Sequence, residues 1–179
     1  MNPSFNLFIV GPTGAGKTSI GRRLADHYGL TFVDLDQEIE RVCGVPVSTV
    51  FEIEGEAGFR QRESTLLAEH SQRRGVLMAT GAGAVLDAAN RRRLVDHGYV
   101  LWLQATLEQQ LERLAQDRQR PLLAGVDRAE RLSTMSERRT PLYEEIADLV
   151  IPGAHETVHA ASARSILLID QHWQRQHAA

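Results

Sequence analysis

The sequence predicts an α/β fold: a central, mostly parallel five-stranded sheet with helices on both faces. Three observations carry this. Five short apolar runs, at residues 5–10, 31–35, 76–79, 99–103 and 148–151, alternate with stretches of helical periodicity. A glycine-rich loop stands between the first run and the first helical pattern. No internal repeat or low-complexity tract points to another architecture. Right-handed crossovers then gather the carboxyl ends of the strands at one edge, where ligands of such sheets bind.

The elements follow in order. Strand 5–10 runs into the glycine loop, and a helix covers 17–28. Strand 31–35 is followed by a short helix from Asp36 to about Arg41, with Asp36 a competent N-cap. After the turn at Gly44 and Pro46, a helix spans 48–53; Gly55 interrupts it, and a longer helix reaches His70. Gly75 introduces strand 76–79, which ends in Thr80, Gly81, Ala82 and Gly83. Helix 87–97, strand 99–103 and helix 106–115 come next, then an arginine-rich polar stretch at 116–128. Helix 129–139 is expected to stop near Pro141, with a further turn at 142–146. Strand 148–151 and a closing helix at 156–170 finish the fold; the tail 171–179 should fray, with Trp173 packed locally or exposed.

The loop Gly11-Pro-Thr-Gly-Ala-Gly-Lys-Thr18 matches every fixed position of the phosphate-binding loop, GxxxxGK[ST], in the strand–loop–helix context that gives the motif meaning. Its glycines let backbone N–H groups turn inward around phosphate oxygens, and the following helix adds its positive end. Lys17 can reach the β- and γ-phosphates, and the Thr18 hydroxyl can ligate magnesium. Gly14, Ala15, Gly16 and Ser19 complete the cradle. The loop specifies a nucleoside triphosphate and leaves the acceptor open.

At 179 residues the chain is one domain, large enough to bury roughly two-thirds of its unfolded surface. Twenty basic and 23 acidic side chains leave a formal charge of −3, which argues against nucleic acid as principal partner. No window approaches a membrane span and no leader precedes the first strand, so a cytoplasmic, soluble monomer is expected, with no membrane partner. Cys43, the only cysteine, excludes an intrachain disulfide and a thiolate cluster, and nothing nearby activates it. No histidine pair has metal-ligand spacing.

Phosphoryl transfer needs triphosphate held, charge neutralised and an acceptor oxygen brought into line. Asp34 and Asp36, one residue apart at the end of the second strand, can divide metal binding and proton acceptance between them. Arg60 has Glu63 three residues on, near enough to fix its guanidinium as a planar fork; Arg62, Arg138 and Arg139 are further donors. Gly81 and Gly83 either admit a ligand to the backbone or supply positive φ to a turn. The stretch 116–128 reads as a mobile lid that excludes water during transfer.

With these in place the chain resembles the shikimate kinase family over about residues 5–170. The resemblance is carried by GPTGAGKTSIGRRLA at 11–25, FVDLDQEIE at 32–40, GEAGFRQRE at 55–63, ATGAG at 79–83, RPLL at 120–123 and ERRTPLYEEIAD at 137–148. It implies a P-loop kinase fold with an acceptor region at about 36–63 and a lid at about 114–128. It implies transfer of the ATP γ-phosphoryl group to the 3-hydroxyl of shikimate, with ATP and Mg2+ as cofactors and shikimate as the small-molecule partner. By resemblance Lys17 meets the phosphates, Thr18 binds the metal, and Asp34 meets it through water. Asp36 holds the reacting diol as base, Arg60 and Arg139 clamp the shikimate carboxylate, and Glu63 orients Arg60. Gly81, Ala82 and Gly83 line the acceptor pocket, Arg120 reaches from the lid, and Arg113 lies near the adenine. One departure is Ala82, where the family usually has the second of three glycines; positive φ there would bring strain of about 1 kcal/mol or more.

The nearest alternative is a kinase of another small polyol acid such as gluconate. A guanine-nucleotide switch is disfavoured, since none of Asn2, Asn6 and Asn90 precedes a lysine as NKxD requires.

Overall fold

The computed structural model describes residues 4–115, 121–123, 125 and 127–174. Five strands, β1 (Leu7–Val10), β2 (Thr31–Asp34), β3 (Val76–Ala79), β4 (Tyr99–Leu103) and β5 (Leu149–Ile151), form one parallel sheet in the order β2-β3-β1-β4-β5. Seven helices surround it: α1 (Lys17–Tyr28), α2 (Leu35–Cys43), α3 (Val47–Ser71), α4 (Ala88–His97), α5 (Leu107–Leu114), α6 (Arg128–Ile146) and α7 (Val158–His172).

Residues alternate between the two faces of the strands, and both faces are covered. Leu7, Ile9, Leu77, Tyr99 and Leu101 pack with Ile20 and Leu24 of α1 and Ile169 of α7. Phe8, Val10, Met78, Val100 and Trp102 pack on the other face with Leu67 of α3, Leu94 of α4 and Tyr143 of α6. This double burial is why the runs read as continuously apolar rather than alternating. The chain moves to β2 over the α1 face and returns across the sheet over the other, which keeps a single crossover hand.

At the amino ends of the strands, buried Asn6 closes the sheet. Its amide donates to the carbonyls of Arg73 at 2.7 Å and His97 at 3.1 Å, and its oxygen accepts from the Val76 N–H at 3.0 Å. The opposite, carboxyl edge carries the glycine loop, Asp34 and the Gly81–Gly83 turn.

Three local expectations change, and one short element is added. Asp34, not Asp36, caps α2: its carboxylate accepts from the N–H groups of Asp36 and Gln37 at 3.0 and 3.3 Å, so the helix starts one residue earlier, at Leu35. Helix α6 passes through Pro141 to Ile146 without stopping. The proline forfeits one backbone bond, but continuing the helix buries Tyr143 and Ile146 in the core, which outweighs that loss. Trp173 is buried, edge-on to Tyr28 at 5.4 Å between ring centroids, so the segment just after α7 is packed rather than frayed. A 3-10 turn, Ala84–Leu86, precedes α4. The expected break at Gly55 is present: φ is 69° and ψ −176° inside α3. The bend lets Phe51 lie 4.5 Å from Phe59, ring to ring.

Candidate active site

The phosphate loop sits where β1 hands over to α1. Gly14 and Gly16 have φ of 80° and 90°, a region that only glycine occupies without strain, so the motif's glycines are demanded by the backbone. Gly16 caps α1 with no side-chain hydrogen bond, so the helix start presents first-turn N–H groups to an anion. The Lys17 ammonium donates to the carbonyls of Gly11 and Pro12, each at 2.8 Å, and so lies inside the loop it serves. Ala15 is buried beneath the turn. Arg113 spans from the Gly14 carbonyl, at 2.9 Å, to that of Ala154, which places it beside the loop.

Asp34 joins this loop to the acceptor side. One carboxylate oxygen caps α2, and the other accepts a 2.6 Å hydrogen bond from the Thr18 hydroxyl. A hydroxyl and a carboxylate in contact form an oxygen donor set suited to magnesium, which takes only one or two protein ligands and fills its shell with water and phosphate oxygens. Among the described residues no group of three or more His, Cys, Asp or Glu side chains is placed to hold a metal ion. Asp36, in the first turn of α2, projects into a cavity of about 570 Å3 beside the phosphate loop.

Arg60, Glu63, Gly81, Ala82, Gly83 and Arg139 line the same cavity. The Arg60 guanidinium donates to Glu63 at 2.6 Å and stacks 5.2 Å from the Phe59 ring centre. Glu63 is fully buried; burial pushes its carboxyl above the ordinary range, Arg60 pulls it back, and the neighbouring Asp36 charge adds to the rise. Burial also pulls Arg139 down, and the like charge of Arg60 contributes to that fall while Tyr143 opposes it. Two guanidiniums facing one cavity, with Arg60 disfavouring the charge of Arg139, form a site that an anion would complete. Arg138 is exposed, so the two adjacent arginines separate into a surface charge and a site residue. Arg62 pairs instead with Glu54, away from the cavity.

The glycine turn has a different cause from a strained φ: neither Gly81 nor Gly83 has positive φ. A Cβ on Gly81 would lie 2.1 Å from a Glu63 carboxylate oxygen, and one on Gly83 would lie 2.2 Å from an Arg60 nitrogen. The turn is made of glycine so that the Arg60–Glu63 pair can press against its backbone. Ala82 has no such neighbour problem, and no non-glycine residue among those described has positive φ, so the departure from glycine carries no backbone strain. The cavity wall also includes Val47, Phe51, Leu123 and Met135. Sequence reasoning passed over these apolar residues because charge and spacing mark polar chemistry only. Arg120 lies outside the described residues, as does most of the stretch expected to form the lid; Leu122 and Leu123 from its middle reach the cavity.

Sheet order, phosphate loop and an adjoining anionic-acceptor cavity define a P-loop small-molecule kinase. A family model described as shikimate kinase matches residues 13–169. The shikimate kinase of Stenotrophomonas maltophilia is 46% identical over 176 residues, 98% of each chain. That of Bordetella avium is 55% identical over 145 residues, 81% of this chain and 69% of the relative. A solved shikimate kinase from Acinetobacter baumannii, in complex with shikimate, is similar at a TM-score of 0.90 and 39% identity, covering 95% of each chain. The chain belongs to the shikimate kinase family.

Proposed function

We propose that this protein transfers the γ-phosphoryl group of ATP to the 3-hydroxyl of shikimate, giving shikimate 3-phosphate and ADP. One observation carries the reading: a single cavity joins the Thr18–Asp34 end of the phosphate loop to Asp36 and to the Arg60–Arg139 pair. Shikimate is a compact ring acid with a carboxylate for the two guanidiniums and a diol for Asp36. The loop N–H groups and Lys17 hold the phosphates and take up charge as it moves to the leaving oxygen. Thr18 directly, and Asp34 through water, would hold magnesium, which would supply further charge neutralisation. Asp36 orients the acceptor hydroxyl and accepts its proton as the new oxygen–phosphorus bond forms and the bond to ADP breaks. Phe51, Leu123 and Met135 shield the cavity from water, which would otherwise compete as acceptor.

The test is ADP release in a coupled assay with shikimate, quinate or gluconate at equal ATP. Shikimate should give the highest kcat/KM by at least about tenfold. Equal or faster release with gluconate would overturn the assignment in favour of a polyol-acid kinase of another specificity.

A further inference from the structure

Tyr143 of α6 takes no part in the chemistry above, yet it ties two walls of the acceptor cavity together. Its ring is buried against Trp102, 5.9 Å away and tilted by 32°. Its hydroxyl donates to the Ala82 carbonyl at 2.6 Å, across 61 residues of sequence. Arg139 precedes it by four residues, one helical turn, so both side chains lie on one face of α6. Burial pushes the phenol up, and the neighbouring Arg139 guanidinium opposes that rise. The phenol therefore lies between a donor that meets the cavity and a carbonyl of the turn that lines it.

The second consequence follows from peptide geometry. The Ala82–Gly83 bond is trans, so the Ala82 carbonyl and the Gly83 N–H point in opposite directions. Tyr143 is not among the residues lining the acceptor cavity, whereas Ala82, Gly83 and Arg139 are. Holding the carbonyl toward Tyr143 directs the N–H away from it. Among the described residues no acceptor takes the Gly83 N–H.

We propose that Tyr143 is a positioning residue for the acceptor, fixing the Arg139 fork and the Ala82–Gly83 peptide so that a guanidinium and a backbone donor converge on the bound acid. The proposal rests on the reading that this cavity receives shikimate. Its physical basis is that a planar fork recognises a carboxylate only when its orientation is held. A phenol with one proton, spent on Ala82, can offer Arg139 only its lone pairs, and each bond polarises the next.

Tyr143→Phe keeps the ring against Trp102 and removes the hydroxyl alone. The KM for shikimate should rise about tenfold while the KM for ATP stays within about twofold. A merely structural loss would raise both, so the split is informative even where the variant melts earlier. Combining Tyr143→Phe with Arg139→Lys gives a second measurement. The double variant's loss in shikimate kcat/KM should fall short of the product of the single losses by at least about threefold, because the phenol acts in part through the fork. An unchanged shikimate KM, equal rises for both substrates, or strictly multiplicative losses would overturn the proposal. Failure of the unaltered protein to phosphorylate shikimate would overturn the acceptor assignment itself, and this appears before any variant is compared.

Discussion

Replacing Gly81 by alanine tests whether the glycine turn exists to admit the Arg60–Glu63 pair. The new Cβ would stand 2.1 Å from a Glu63 carboxylate oxygen. Reaching an ordinary contact near 3.4 Å requires that oxygen to retreat by about 1.3 Å. A flexible exposed side chain would yield at little cost, but Glu63 is fully buried and bound to Arg60 at 2.6 Å. The retreat therefore breaks or bends the ion pair and frees the Arg60 fork from its orientation. A charge-assisted hydrogen bond contributes roughly 1.5–3 kcal/mol, so shikimate affinity should fall by about ten- to a hundredfold. Titration calorimetry with shikimate and, separately, with ADP measures it, and ADP affinity should hold, since Gly81 lies on the acceptor side of the cavity. Ala82→Gly is the internal control: φ at 82 is not positive, so removing the methyl should change shikimate binding by less than about threefold. Wild-type shikimate affinity in Gly81→Ala, or equal losses for both ligands, would refute the close-approach argument.

Two further outcomes are expected. Asp34→Asn should keep α2 capped, because asparagine caps as well as aspartate, and should show its defect as a raised magnesium requirement. Asp36→Asn should lower turnover by about a hundredfold or more at any magnesium concentration. Magnesium titrations of turnover decide between them, and rescue of Asp36→Asn with Asp34→Asn unresponsive would exchange the two roles. Glu63 supplies a pH signature. Its folded value lies above the ordinary 4.5, so its favourable contribution is complete below that value and declines as pH rises through the folded value. Glu63→Gln lacks this decline, so its stability relative to the unaltered protein should increase from pH 4 toward 7 in paired thermal melts; a decrease over that range would contradict the burial argument.

The sheet was legible because its central strands β1, β3 and β4 are buried on both faces and read as unbroken apolar runs, Tyr99–Leu103 to the residue. The phosphate loop was legible because it is local: Gly14, Gly16 and Lys17 satisfy its geometry within a few residues. The Arg60–Glu63 pair was legible for the same reason, as a three-residue spacing on a helix. What the sequence concealed depends on contacts between distant elements. Asp34 and Asp36 are equally good caps by type, and only the direction in which β2 enters α2 assigns the cap to Asp34. Pro141 carries a local signal to stop, which the burial of Tyr143 and Ile146 overrides. The purpose of Gly81 and Gly83 is invisible without Glu63 and Arg60 pressed against them, some twenty residues earlier in the chain. The side-chain contacts of Asn6 likewise unite segments up to 91 residues apart.

The charges around the cavity explain why its acceptor should be an acid and not a neutral polyol. Arg139 is buried and Arg60 partly so; burial and the like charge of Arg60 both disfavour the charged state of Arg139. Glu63 compensates Arg60, but it faces away from solvent and has already spent one oxygen on that pair. Asp36 lies on the α2 side of the cavity, next to Thr18 and Asp34, where under the proposed function its negative charge would serve the reacting hydroxyl. A carboxylate entering between the guanidiniums completes their hydrogen bonding and relieves their mutual repulsion. A neutral sugar of the same size would supply hydroxyls to Asp36 yet leave the fork of Arg139 facing no anion. Leaving buried polar groups underused is the strongest form of discrimination a rigid site can exert, about ten-thousandfold in favourable cases. Under the proposed function the selectivity therefore resides in the arginine pair more than in the phosphate loop, since the loop would accept the same triphosphate whatever the acceptor.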